Sequence, residues 1–241
     1  MSDEEGENFT ELKVVLLGDS GVGKSSIIKQ YVTHSFDTEI SSSISSKYIS
    51  KEVKIEDINK TVKFNIWDTA GQERYRSLAK IFYKDAPIII FVYDIEYKST
   101  FESLKNYWYQ EVKNNNTSNI IFGVIGNKYD LYLKSQIEEN EAIEWADSIG
   151  GIFQLTSAKS NIGIDLLFYN IAKKYFDPNF DYKKEDQKAK ELYEMKKEGK
   201  IKKKTKKNDE ENIDNFPPVH TIKLKEIEND IFDGQKKRKC C

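Results

Sequence analysis

A doubly wound α/β fold, with a mostly parallel six-stranded sheet and one antiparallel edge strand, is what this 241-residue sequence predicts. Three observations point to it. Short apolar runs alternate with helical patterns from Leu12 to Phe176. A glycine-rich loop ending in Lys-Ser follows the first of those runs. One pair of runs, around "EDINK", has the spacing of a hairpin instead of a crossover.

In chain order, "LKVVLLG" reads as the first strand and "KSSIIKQYV" as the first helix. "KYISKEVKIEDINKTVKFNIWD" holds two alternating segments, hence the antiparallel edge. "ERYRSLAKIFYK" is the next helix, followed by the strand "PIIIFVYD". The helix "TFESLKNYWYQEVK" has Ser99 or Thr100 as its expected cap. Strand "NIIFGVIGN", helix "ENEAIEWADSI", strand "GIFQLTS" and helix "GIDLLFYNIAKKYF" complete the alternation. Most strand runs lack polar alternation, as expected for strands covered on both faces.

Residues 1–10 read as an acidic N-terminal extension, 11–177 as the domain, and 178–241 as a charged tail beginning at Pro178. Within the tail, like-charge pairs at Lys184/Lys188 and Glu194/Glu198 leave any helix over 182–198 dependent on solvent. "FPPVHTIKLKEIENDIF" regains apolar residues and reads as a linker or as a segment that docks.

The formal net charge is −2, but Lys183–Lys207 holds twelve lysines against five acids, leaving about −7 over residues 1–182. An acidic body with a basic tail argues against nucleic acid and for an anionic surface near the tail. The start of the chain has neither a secretory pattern nor a glycine after Met1, and no apolar run is long enough to span a bilayer. A cytosolic chain is expected. Both cysteines are the last two residues, Cys240 and Cys241. They cannot staple a core and read as lipid attachment points, without the C-a-a-X arrangement.

"GDSGVGKS", Gly18–Ser25, fits G-x-x-x-x-G-K-[ST] between a strand and a helix. Backbone N–H groups of Ser20, Gly21, Val22, Gly23, Lys24, Ser25 and Ser26 can face phosphate oxygens at a helix N-terminus. Lys24 supplies charge to the outer phosphates, and Ser25 a hydroxyl for Mg²⁺. "WDTAGQE" puts Asp68 at a strand end to hold the magnesium shell. It also offers the Gly71 N–H to a terminal phosphate and Gln72 to orient an attacking water. In "GNKYD", Asp130 can accept from two adjacent N–H donors of guanine, Asn127 can tie the nucleotide loop, and Lys128 can lie along the base. "TSAK" brings Ser157, Ala158 and Lys159 to the same end, with the Ala158 N–H for the guanine carbonyl. Together these select GTP over ATP.

Residues 11–177 resemble a Ras-superfamily small GTPase, and specifically a Rab, through "LLGDSGVGKSS", "KFNIWDTAGQERYRSL", "FVYDI" and the terminal "KCC". "LFYNIAKKY" and "TSAK" are most similar to the endosomal Rabs. The resemblance implies the P-loop small GTPase fold, with GTP/GDP and Mg²⁺ as ligands. Phe36 would stack on guanine, and Ser43 would stand where the family has its switch threonine, giving its hydroxyl to Mg²⁺ and its N–H to the γ-phosphate. Ser45 stands where a glycine usually follows, which would loosen the ordered switch. Tyr48, Trp67 and Phe82 fall on the family's effector-binding aromatic cluster, and equally suit half-buried sheet positions.

The three arginines, Arg74, Arg76 and Arg238, include none before the switch serines, so slow intrinsic hydrolysis accelerated by a partner is expected. The implied partners are an exchange factor, a GTPase-activating protein, Rab escort and dissociation-inhibitor chaperones, and effectors. The expected state is a monomer at the cytoplasmic face of intracellular membranes, held by two geranylgeranyl groups on Cys240 and Cys241 with "KKRK" beside them. Against the switch stands a membrane-tethered guanine-nucleotide scaffold that does not cycle because "SSSISS" is a degenerate linker. A P-loop kinase is disfavoured by "NKYD".

Overall fold

The computed structural model describes residues 9–36, 47–69, 76–116, 119–185 and 187, with the backbone alone for Lys47 and residues 76–79. The expected switch residues Ser43, Ser45, Gly71 and Gln72 lie outside the described residues. So do Arg74, Arg238, most of the tail, and Cys240 and Cys241.

Six strands form one mostly parallel sheet with one antiparallel edge, as the sequence predicts, in the order β2-β3-β1-β4-β5-β6. β1 (Phe9–Leu17), β4 (Ile88–Asp94), β5 (Ile121–Asn127) and β6 (Ile152–Leu155) are parallel neighbours. β3 (Lys60–Asp68) runs parallel to β1, while β2 (Lys47–Ile55) is the antiparallel edge. The turn between β2 and β3 is a short 3-10 segment, Glu56–Ile58, closed by Asn59 in the left-handed region. β4 is buried along its whole length, whereas β3 alternates buried and half-buried residues. Those patterns match a central strand covered on both faces and one nearer the edge.

β1 starts at Phe9, pairing Phe9 with Thr61 and Thr10 with Val62, so the last two residues of the expected N-terminal extension are strand. Its length follows that of β3. Alternation along β1 sends Val14 and Leu16 to one face and Val15 and Leu17 to the other. On the first face α1 (Lys24–Thr33) packs with α6 (Ile164–Phe176) and on β3. Tyr31 of α1 stacks on Phe168 of α6 at 3.7 Å between ring centroids, and Phe64 of β3 meets Phe168 edge-on at 5.4 Å. Lys51 pins the edge strand to this cluster: its Nζ donates to the Tyr31 carbonyl at 2.5 Å and lies 3.9 Å from the ring centroid. Burial pulls the Lys51 pKa down, against the pull of the Asp165 carboxylate.

The other face carries α3 (Lys98–Ser103), a π turn (Leu104–Trp108), α4 (Tyr109–Asn115) and α5 (Glu139–Ser148), with α2 (Arg76–Tyr83) against α4. Phe91, Phe101, Leu104, Trp108 and Ala142 are buried here with Val15 and Leu17. The expected cap of α3 is corrected: Tyr97 precedes the helix, and neither Ser99 nor Thr100 caps it. Thr100 accepts the Asp94 N–H at 3.0 Å and donates to the Tyr97 carbonyl at 2.7 Å, bracing the end of β4.

The chain divides into two units, Met1–Pro178 and Asn179–Cys241, and every element above belongs to the first. In the second, residues 182–185 are helical and the Asp181 carboxylate accepts the Lys183 N–H at 3.1 Å. Among the described residues no helix is long and apolar enough to cross a membrane.

Phe168→Ala removes the ring shared by Tyr31 and Phe64 and is expected to cost about 3–5 kcal/mol. Urea unfolding should show a lower midpoint at unchanged slope.

Candidate functional site

The loop after β1 lies at the carboxyl edge of the sheet, where β3 and β4 flank β1 and the winding direction reverses, the usual ligand crevice of such sheets. Gly18 passes so close to β4 that a Cβ there would collide with the Val92 carbonyl. Gly23 has φ 97°, and a Cβ there would strike the Asn127 amide, so only glycine allows the chain into α1 at this point. Ser20 and Gly21 are exposed at the tip, Val22 is buried beneath, and Ser25 and Ser26 stand half-buried in the first turn of α1. No acidic residue occupies that first turn, so the positive end of the helix dipole is left for an anion. Lys24, 5% exposed, donates its Nζ to the carbonyls of Gly18 and Asp19 at 2.8 Å each. Its charge is therefore held over the loop.

Across a cleft of about 330 Å³ from this loop are Phe36 and the ends of β5 and β6. Gly21, Gly23 and Ser26 line one side, and Asn127, Lys128, Asp130, Ala158 and Lys159 the other. Asn127 is 2% exposed and bonds both ways: Nδ2 donates to the Val22 carbonyl at 2.8 Å, and Oδ1 accepts the Thr156 hydroxyl at 3.2 Å. Ser157 donates its hydroxyl to the Asp130 carboxylate at 2.6 Å, with Lys159 Nζ 3.9 Å from the other oxygen. Lys128 takes φ 67° and pairs with the buried Asp94 carboxylate at 2.6 Å. The cleft thus joins an anion-binding loop to a carboxylate that can accept from paired N–H donors, flanked by the 39%-exposed ring of Phe36.

Asp68 ends β3 as a 3%-exposed carboxylate, opposite Leu16 of β1. With Ser25 it offers two hard oxygen donors near the phosphate loop. Among the described residues no group of three or more His, Cys, Asp or Glu could hold a metal. Two hard oxygens suit a cation such as Mg²⁺, which keeps waters and ligand phosphates in its shell.

Tyr48, Trp67 and Phe82 come together on the surface. Tyr48 meets Trp67 at 5.2 Å between centroids, and Trp67 meets Phe82 at 5.8 Å. Tyr48 is 53% exposed and donates its hydroxyl to Asn65 at 2.8 Å.

Several contributors went unread in the sequence. Leu131 also lines the cleft, signalled only by being the apolar residue after Asp130. Asp94 ends "FVYD" as Asp68 ends "IWD", a parallel that could have marked it. Gln30, 4% exposed in α1, sets its amide against the carbonyls of Ser35 and Ala158; turned with its nitrogen to them, it donates to both at 3.1 Å and ties the Phe36 side of the cleft to the "TSAK" loop. A glutamine in a helix gives no such hint.

Comparison with known proteins agrees with this geometry. The model of the Ras family matches residues 13–177. The chain is 46% identical to the Ras-related protein Rab-22A of Homo sapiens over 164 residues, covering 68% of this chain and 83% of that protein. It is 44% identical to the Ras-related protein Rab-31 of Mus musculus over 163 residues, 68% of this chain and 82% of the relative. With the phosphate loop and the cleft in place, the chain belongs to the Ras family of small GTPases, and within it is a Rab.

Proposed function

We propose that this Rab is a GTP/GDP switch that hydrolyses GTP and recruits effectors in vesicular traffic. The observation that carries the reading is the Asn127 amide bonded to the phosphate loop and to Thr156, which makes the phosphate and guanine halves one site. Within residues 11–177, Ser20–Ser26 cradle the phosphates and Lys24 turns to the outer ones. Asp130 accepts from guanine, the Ala158 N–H meets its carbonyl, Phe36 stacks on it, and Ser157 and Lys159 hold Asp130 in place.

Ser25 and Asp68 would hold Mg²⁺, with the Ser43 hydroxyl as a further ligand; bound there, the ion would neutralise charge on the phosphate oxygens. Gln72 orients the attacking water, and the Gly71 N–H meets the terminal phosphate. Hydrolysis is slow until a GTPase-activating protein contributes what this chain lacks.

Tyr48, Trp67 and Phe82 form the effector surface, and Ile81 beside Phe82 is 70% exposed. The 178–241 tail ends in Cys240 and Cys241, where two geranylgeranyl groups would anchor the chain stably, as one would not. Escort and dissociation-inhibitor proteins would carry it through the cytosol. The strings "LFYNIAKKY" and "TSAK", which resemble those of endosomal Rabs, favour an endosomal membrane.

Single-turnover hydrolysis of Mg²⁺·GTP by the full chain should be slow, and Gln72→Leu or Ser43→Ala should each suppress it at least about tenfold. Retention of GTP without turnover by all three, even with a matched activator, would replace the switch with a non-cycling scaffold.

Removing the metal with EDTA should speed GDP release, and excess Mg²⁺ should restore retention; release indifferent to EDTA would deny Ser25 and Asp68 their role. Asp130→Ala should weaken GDP on the order of tenfold or more while leaving weak ATP binding unchanged. Competition against labelled GDP reads both.

A further inference from the structure

The π turn in the middle of the third helical segment has a counterpart in the phosphate loop. Ser103 and Trp108 both donate to one oxygen of Asp19, Oδ1: the serine hydroxyl at 2.8 Å and the indole Nε1 at 3.0 Å. Five residues separate the two donors. In a regular α-helix that spacing would turn them about 140° apart. The wider i→i+5 turn over Leu104–Trp108 brings them towards one face, where a single acceptor can take both. Trp108 is 2% exposed and packed in the core, so its N–H is fixed in place.

Asp19 stands between Gly18 and Ser20, inside the loop that cradles phosphate. Its backbone carbonyl also accepts Lys24 Nζ at 2.8 Å. One residue therefore links the helix to Lys24: side-chain oxygen to Trp108 and Ser103, main-chain oxygen to Lys24. A carboxylate beside a phosphate site works against anion binding unless donors draw off its charge. Two fixed donors on one oxygen do that, and they set the direction of the loop's backbone.

We propose that Asp19 is a positioning residue, held by Trp108 and Ser103 on the π turn, that sets the phosphate loop and Lys24 for nucleotide retention. The proposal rests on the guanine-nucleotide reading of the cleft.

GDP release from the full chain, followed with a fluorescent GDP chased by unlabelled GDP, tests it. Asp19→Ala should speed release on the order of tenfold, the cost of losing hydrogen bonds to a charged acceptor. Asp19→Asn keeps an oxygen for the same donors and should recover most of that retention. Trp108→Phe and Ser103→Ala should each speed release, and neither should add to Asp19→Ala when combined with it. Ser103→Ala leaves the core filled, so it still reports should Trp108→Phe fail to fold.

Equal loss in Asp19→Asn and Asp19→Ala would overturn the proposal, as would additive effects of Trp108→Phe and Asp19→Ala, which mean that the indole merely fills space. A parent chain that retains no guanine nucleotide would overturn the reading of the cleft itself. A parent that retains GDP, with every variant releasing at its rate, would overturn the positioning role alone.

Discussion

Asn127 sits at the end of β5 with its amide bonded in two directions, to the Val22 carbonyl of the phosphate loop and to the Thr156 hydroxyl after β6. Both bonds are buried, where an unpaired polar group costs about 1–3 kcal/mol, so neither loop can shift alone without leaving an orphan. Backbone bonds repeat the tie: the Thr156 N–H donates to the Gly126 carbonyl and the Tyr129 N–H to the Thr156 carbonyl, each at 2.9 Å. Gly23 is the complementary requirement, since any side chain there would occupy the space of that amide. The shape of the cleft follows from this contact. Three connections far apart in sequence act as one rigid edge because one side chain satisfies two of them.

Charge inside that edge is arranged for placement more than for stability. Asp94 is nearly buried and paired with Lys128, and its other oxygen accepts the Glu96 N–H at 3.0 Å. Buried pairs of this kind add little net stability, but removing one partner costs about 3–5 kcal/mol. Lys128 also occupies the left-handed region, at a cost of about 1–2 kcal/mol for a residue with a Cβ. The Leu131 N–H on the Lys128 carbonyl at 2.8 Å holds the turn in that conformation. The result is a sharp reversal after β5 that sends Asn127 inward and Asp130, two residues after Lys128, into the cleft. Asp130 is then steadied by Ser157 from the neighbouring loop, so this carboxylate depends on the same edge.

The α/β alternation, the hairpin edge and the strand-end motifs were all legible, because each is local: apolar runs, a glycine loop, short strings in a fixed order. Features that depend on a distant partner were not. β1 begins at Phe9 because β3 continues far enough to pair with it, which residues 1–10 alone do not encode. Thr100 looks like a cap in sequence, yet its hydroxyl is drawn to Asp94 and Tyr97 at the end of β4. The π turn leaves no trace in periodicity, since "SLKNYW" suits an ordinary helix; its hydrogen-bond partner lies 84 residues upstream of Ser103, in the Asp19 carboxylate. The aromatic trio was legible as positions, and its contact was not, because Tyr48 and Trp67 face each other only through the β2–β3 register.

That register has a functional corollary. Residues 37–46 join Phe36, on the cleft, to β2, where Tyr48 sits. Residues 70–75 join Thr69, next to the buried Asp68, to α2, where Phe82 sits. Both connections thus begin at the ligand site and end at elements that carry the aromatic surface, while Trp67 is the residue before Asp68 on β3. Thr69 is itself fixed, its hydroxyl donating to the Leu16 carbonyl at 2.6 Å, so the start of the second connection is anchored to β1. With the guanine half locked by Asn127 and the sheet locked by its core, the proposed difference between GTP and GDP has two short covalent routes to that surface. Ser43 lies on the first and Gln72 on the second. A serine in place of threonine at 43 keeps the oxygen but frees χ1, so on this reading the first route transmits the γ-phosphate less tightly than the second.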